Sequence, residues 1–210
     1  MMEMVHAEIT RYLEDLHPSN DPILKEMERL AGRLNFPIVG PLVGRLLYQL
    51  ARMTRASTVF EMGSGFGYSA YWFARALPPS GYIYHTDTST EHSRQAHDFL
   101  RRGHLLNKVR FLVGNALELV EQTRGHFDII FIDIEKEDYP KAYEKARHRI
   151  RPGGLLVADN ALWSGRVTQK KGDAATEGIK KFNRLLAADT DFFQVIIPLR
   201  DGVSVNLKIK

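Results

Sequence analysis

Four residues in the second half of this 210-residue chain have the types and spacing of a catalytic set. Asp133 ends the apolar run FDIIFID, Lys136 follows three residues later, and the adjacent Asp159 and Asn160 end the run LLVADN. Two carboxylates and an amide are oxygen donors only. With no cysteine in the chain and no histidine beside them, they suit a hard divalent ion, Mg²⁺ or alternatively Mn²⁺ or Ca²⁺, that keeps positions open for water or substrate. Lys136 sits one turn beyond Asp133 if a helix begins there, close enough to act as base toward a hydroxyl whose acidity the metal raises. Taken singly, each acid could merely cap a helix and the lysine in EKEDYPK could merely be solvated. The two strand ends must be neighbours for the set to converge.

A second group lies in EMGSGFGYSA, residues 61–70, where Gly63, Gly65 and Gly67 separate an apolar run from a helix-like segment. Glycines there allow a tight turn and let backbone N–H groups approach a ligand. The dinucleotide fingerprint needs glycine at position 68, where a tyrosine stands, and the Gly-Lys-Ser/Thr of a phosphate-binding loop is missing. Glu61 would repel a diphosphate but favour an ammonium or sulfonium group. Asp87 closes the next apolar run, where a carboxylate can accept both hydroxyls of a ribose. These features fit S-adenosylmethionine. Ser69 is placed to meet its carboxylate, and Asn115 with Ala116 to line an adenine pocket, although Asn115 could equally be a helix cap.

The elements that must hold these residues follow from periodicity. Runs at 58–62, 82–87, 109–114, 127–133 and 155–160 resemble buried parallel strands, and helix-like segments near 67–76, 90–103, 115–124 and 137–149 are long enough for crossovers. Only Arg200, Asp201 and Gly202 separate the terminal runs 192–199 and 203–209, which predicts an antiparallel hairpin. The fold class is therefore α/β, a doubly wound Rossmann-like sheet of seven strands. Residues 6–54 read as helices broken at HPSNDP and at NFPIVGPLVG, so residues 1–56 form a helical extension of one domain spanning 1–210.

Composition narrows the classes. A hydrophobic share of 44% and a charged share of 26% exclude a disordered or fibrous chain, and the absence of cysteine excludes disulfides, thiolate metal sites and a thiol nucleophile. No apolar stretch approaches the length of a membrane span, which makes a cytoplasmic location the expectation and membrane association unexpected. The net charge of +4 favours an anionic partner only weakly.

Taken together, the segments resemble the cation-dependent O-methyltransferases of the catechol and caffeoyl-CoA type, in their small bacterial branch. EMGSGFGYSA is similar to that family's cofactor loop, FIDIEKEDY to its Asp-x-x-Lys-x-x-Tyr segment at Asp133, Lys136 and Tyr139, and ADNALWSGRV to its Asp-Asn-x-Leu-Trp segment. The resemblance implies the class I methyltransferase fold with an antiparallel last strand, S-adenosylmethionine as donor, and a cation on Asp133, Asp159 and Asn160. It further implies that Val39, Glu61, Gly63, Gly65, Gly67, Ser69, Asp87, Ala116 and Asp133 serve the cofactor, that Lys136 is the base, and that the chain forms a homodimer. Ser64, Phe66 and Asn115 depart from the commoner family residues.

The expected acceptor is a small catechol-like aromatic, with Trp163 as an apolar wall or else a core residue. Some bacterial relatives methylate a hydroxylated uridine in tRNA, so tRNA is the alternative acceptor, and Arg166, Lys170 and Lys171 permit it. A dinucleotide-dependent oxidoreductase is the competing class, disfavoured by Tyr68 and by the acids at the strand ends.

Overall fold

The computed structural model describes residues 6–210; the first five residues of the expected N-terminal extension lie outside the described residues. Three helices come first: α1 (Ala7–Asp15), α2 (Pro22–Leu34) and α3 (Gly40–Met53). Asp21 starts α2 by accepting the Ile23 and Leu24 N–H groups, and Asn35 ends it in the left-handed conformation. The alternating part follows as β1 (Thr58–Met62), α4 (Tyr68–Ala76), β2 (Tyr82–Asp87), α5 (Thr90–Arg102), β3 (Val109–Val113), α6 (Ala116–Gln122), β4 (Phe127–Ile132), α7 (Tyr139–Ala146), β5 (Ile150–Ala158), α8 (Ala174–Ala188), β6 (Phe192–Ile197) and β7 (Val203–Lys208).

The seven strands run in the order β3-β2-β1-β4-β5-β7-β6, with β7 antiparallel to both of its neighbours. Crossovers leave β1 toward opposite edges, so a crevice opens at the carboxyl ends of β1 and β4. Register makes this crevice useful. Met62 pairs with Thr86 and with Ile132, and Ile132 pairs with Ala158. The next residue on each strand, Gly63, Asp87, Asp133 and Asp159, therefore falls in one row across four strands.

Each face of the sheet is covered. Val43, Leu47, Phe73 and Leu100, from α3, α4 and α5, pack on one side, and Val120, Tyr143, Ile179 and Phe182, from α6, α7 and α8, on the other. β4 is buried along its whole length, which is why it reads as an apolar run broken only by Asp128.

At the opposite end of the sheet from the crevice, Asp128 locks β4 to the start of β1. Its Oδ2 accepts the Ser57 and Thr58 N–H groups at 2.7 and 2.8 Å and their hydroxyls at 3.0 and 2.9 Å, and Arg151 pairs with Oδ1. Burial pushes this carboxyl up, but Arg151 and the four donors outweigh it and hold the group below the usual carboxylate range. Asp128→Ala should cost about 3 kcal/mol in a urea titration near neutral pH. Because the folded state depresses this acidity, the contribution is complete above about pH 4 and fades as pH falls through the lower folded value. The difference between parent and variant should therefore shrink in acid, and a pH-independent difference would remove the carboxylate from the account.

Candidate active site

A cleft of about 660 Å³ opens over the row of strand tips. On one side of the cleft, the loop after β1 turns through Gly63 and Gly65, at φ +85° and +50°. A Cβ on Gly63 would stand 2.2 Å from the backbone oxygen of Asp133, so only glycine lets β1 and β4 end side by side here. Gly67 has a different task. It does not line the cleft; its bare Cα lets α4 close on α5, where a Cβ would meet that of Ala96 at 2.8 Å.

Asp87 faces the loop. Its Oδ2 accepts the Gly65 N–H at 2.9 Å, and its Oδ1 accepts the Ser89 N–H at 2.7 Å and lies 3.2 Å from Nδ1 of His92. Beneath the loop, the buried His85 donates from Nε2 to the Gly65 carbonyl at 3.0 Å. Burial pushes that imidazole down to about 4, so it holds the loop as a neutral donor at ordinary pH.

Glu61 lies under the same loop, fully buried, and neither carboxylate oxygen has a hydrogen-bond partner. Burial pushes its carboxyl up to about 7 against the pull of the nearby Ser64 and Ser69 hydroxyls. An uncompensated carboxylate below the loop is suited to a cationic ligand group. Ser69, Ala116 and Val39 line the cleft, and Asn115 both lines it and caps α6 through Leu117 N–H at 2.9 Å.

The other half of the cleft gathers the acids. Asp159 is 2% exposed, and its Oδ1 has no partner. Burial first, and then the neighbouring Asp133, push its carboxyl up to about 7. Lys136 begins a single 3-10 turn rather than a full helix, and from it Nζ donates to Asp133 Oδ1 at 2.8 Å and to the Ile134 carbonyl at 3.0 Å. That turn is pinned by α8, because a Cβ on Gly178 would strike the Lys136 carbonyl at 2.4 Å. Asn160, at φ +57°, donates from Nδ2 to Asp201 at 3.2 Å, and among the described residues no donor meets its Oδ1.

Among the described residues, no three histidine, cysteine, aspartate or glutamate side chains converge as a metal cluster. The donor set at this point is two carboxylates and one amide oxygen, with one buried carboxylate oxygen unpaired. Such a set fits a hard cation, since a cation would satisfy the orphaned Asp159 oxygen and offset the like charge of Asp133.

Trp163 also lines the cleft, its ring centroid 5.9 Å from Lys136 Nζ and its indole N–H buried without a partner. The sequence reading did not single out Phe36, His92 or Arg200, which line the same cleft. Phe36 falls in the Pro- and Gly-rich linker 35–44, a visible break, and Arg200 in the turn of the predicted terminal hairpin, within PLRDGVSV; His92 carries no local signal.

The sequence model of the family described as O-methyltransferase matches residues 15–209 of the chain. A catechol O-methyltransferase from Niastella koreensis is 32% identical over 197 residues, covering 90% of this chain and 89% of the relative. A putative O-methyltransferase from Mycobacterium sp. strain JLS is 32% identical over 190 residues, covering 89% and 86%. Among solved structures, the O-methyltransferase TomG from Streptomyces achromogenes, crystallised with S-adenosylmethionine, is 27% identical with a TM-score of 0.88 and covers 97% of this chain and 96% of its own. An O-methyltransferase from Bacillus cereus in complex with S-adenosylhomocysteine is 28% identical with a TM-score of 0.87 and covers 96% and 97%.

Proposed function

The chain belongs to the O-methyltransferase family, in its catechol and caffeoyl-CoA branch, and from that premise we propose that it moves a methyl group from S-adenosylmethionine to one hydroxyl of a vicinal dihydroxy aromatic, with a divalent cation bound beside the acceptor. The observation that carries this reading is the strand-tip row. It sets a glycine loop with Asp87 and a pair of carboxylates with Lys136 on one cleft.

Asp87 would accept the ribose hydroxyls, Ala116 and Asn115 would flank the base, and Val39 would pack on the methionine chain, whose carboxylate Ser69 would meet. Glu61 would balance the positive charge of the donor from below. Asp133, Asp159 and Asn160 would hold the cation, which when bound favours the ionised form of a nearby hydroxyl. Beside a cation the ammonium form of Lys136 is also disfavoured, and the neutral amine would receive the hydroxyl proton at Nζ. Trp163 gives the acceptor ring an apolar wall. The acceptor oxygen gains the methyl carbon as the carbon–sulfur bond breaks, so opposite charges end as neutral ether and thioether. Fixing both reactants in one cleft is worth several kcal/mol of the barrier.

Incubation with catechol, S-adenosylmethionine and Mg²⁺ should yield the monomethyl ether and S-adenosylhomocysteine in equal amounts, measured by mass spectrometry. Absence of methyl ether from catechol and from a caffeoyl ester alike would overturn the acceptor class. In calorimetric titration, Asp87→Ala should weaken S-adenosylmethionine binding by about 1.5–3 kcal/mol, the scale for losing a charged hydrogen-bond partner. Unchanged affinity would take Asp87 out of the ribose site.

A further inference from the structure

We propose that Arg200 selects acceptors that carry a carboxylate, so that the acceptor class of this chain is a vicinal dihydroxy aromatic acid; the proposal rests on the catechol reading above. Arg200 lies in the turn between β6 and β7 at φ +54°, a left-handed conformation that glycine adopts freely and arginine does not. Such a backbone persists where the surrounding contacts fix it, and here they do. The Ala161 and Leu162 N–H groups donate to the Gly202 and Asp201 carbonyls at 2.8 and 2.9 Å, and the Asp201 side chain accepts from Asn160 Nδ2 and from the Ser164 N–H. The turn is therefore fastened to the segment that presents Asn160 and Trp163 to the cleft.

The backbone of Arg200 is held in place, but its guanidinium is not consumed. Among the described residues it donates no hydrogen bond, and its one carboxylate neighbour is Asp159, with Nη1 3.9 Å from Oδ2. Its stem lies over the start of α3, where a Cβ on Gly40 would be 3.9 Å from both Cδ and Nε. Arg200 thus spans the cleft from the acids to the linker wall, with 45% of its side chain still exposed.

With Asp133 and Asp159 offset by the cation proposed above, and Asp138 paired with Lys141, Glu135 is left as a carboxylate lining the acceptor half of the cleft with no ion pair among the described residues, and Lys136 is already tied to Asp133. A neutral catechol has no need of another cation there. An aromatic acid does, because its own carboxylate is then taken out of water beside Glu135 and needs a donor partner. Arginine presents its donors as a planar fork that fits a carboxylate in two parallel hydrogen bonds. The proposal places that carboxylate on the Arg200 guanidinium, which lines the same cleft beside Asp159.

The test compares 3,4-dihydroxybenzoate with 4-methylcatechol, binding each by calorimetry to the full chain with S-adenosylhomocysteine and Mg²⁺ present. The acid should bind roughly tenfold or more tightly than the neutral ring, and Arg200→Gly should bring that ratio close to one, with Arg200→Lys retaining part of it. Glycine suits the left-handed backbone, and an unchanged melting temperature checks that the variant folds. Equal affinities in the parent, an acid preference that survives Arg200→Gly, or equal weakening of both ligands would each overturn the proposal; the last would make Arg200 only a counter-ion for Asp159. Turnover of the two compounds is read separately. If neither were methylated the acceptor class proposed above would fail, while the binding ratio would still decide the role of Arg200.

Discussion

Lys136→Ala should slow the chemical step by roughly 10²-fold or more while S-adenosylmethionine binding stays within a few-fold, because in the proposed mechanism the amine takes a proton and does not hold the donor. The geometry behind this expectation is the contact of Nζ with Asp133 Oδ1 at 2.8 Å, on a turn that α8 pins from behind. A bound cation would compete with the ammonium for that same carboxylate, leaving the amine beside the acceptor hydroxyl. Lys136→Arg should rescue poorly, since guanidinium keeps the positive charge but does not readily give up or take a proton. Single-turnover rates measured across pH with donor and Mg²⁺ saturating are the readout. Parental rates in the arginine variant would make Lys136 a charge that positions Asp133 and would end its assignment as base.

Gly63→Ala should act on both halves of the site at once. The new Cβ would sit 2.2 Å from the Asp133 backbone oxygen, and the backbone there is at φ +85°. Left-handed strain costs about 1–2 kcal/mol and overpacking about 1–3 kcal/mol, and relief of the clash must push Asp133 away from Asp159 or distort the loop. Donor affinity should fall by roughly 10²-fold or more, the fold-change equivalent of losing about 3 kcal/mol at the site. Gly125→Ala is the matched control. It has φ +92° and nothing within 4 Å of the new Cβ, so it carries the backbone cost alone and should leave donor binding intact. Donor affinity within threefold of the parent in Gly63→Ala would show that the close approach of β1 and β4 is not what shapes the cofactor site.

Much of this fold is legible in the sequence for a simple physical reason. Strands buried on both faces of a parallel sheet read as largely apolar runs, and TVFEM, YIYHTD and FDIIFI do so despite Glu61, His85 and Asp128 within them. The fifth strand was readable only in its second half. It begins at Ile150, before Pro152, Gly153 and Gly154, and its pairing with β4 shifts register between Phe127 and Ile129. A Pro-Gly-Gly stretch looks like a turn unless the partner strand is known to accommodate the irregularity.

The residues of the candidate site divide in the same way. Asp133, Lys136, Asp159 and Asn160 were visible because strand ends and a three-residue offset are local facts. The two tasks of the glycines were not separable, because what distinguishes Gly67 from Gly63 is Ala96 on another helix. Glu61 is visible as an acid at a strand end, yet its burial beneath the loop is a property of the assembled layers. Arg200 and His92 reach the cleft only through tertiary placement. The sequence marks Arg200 only as a hairpin-turn residue and His92 not at all.

The most direct test of the central claim is metal-dependent methyl transfer in a single turnover. Enzyme stripped of metal would be mixed with methyl-labelled S-adenosylmethionine and 3,4-dihydroxybenzoate, and Mg²⁺ then titrated in, with the parent compared with Asp159→Ala. The account predicts no labelled ether before Mg²⁺ is added, one labelled methyl per site once it is saturating, and little or no recovery in Asp159→Ala at the Mg²⁺ concentration that restores the parent. Full transfer in metal-free solution, or an Asp159→Ala variant that responds to Mg²⁺ as the parent does, would contradict the assignment of Asp133, Asp159 and Asn160 as the cation site on which the mechanism rests.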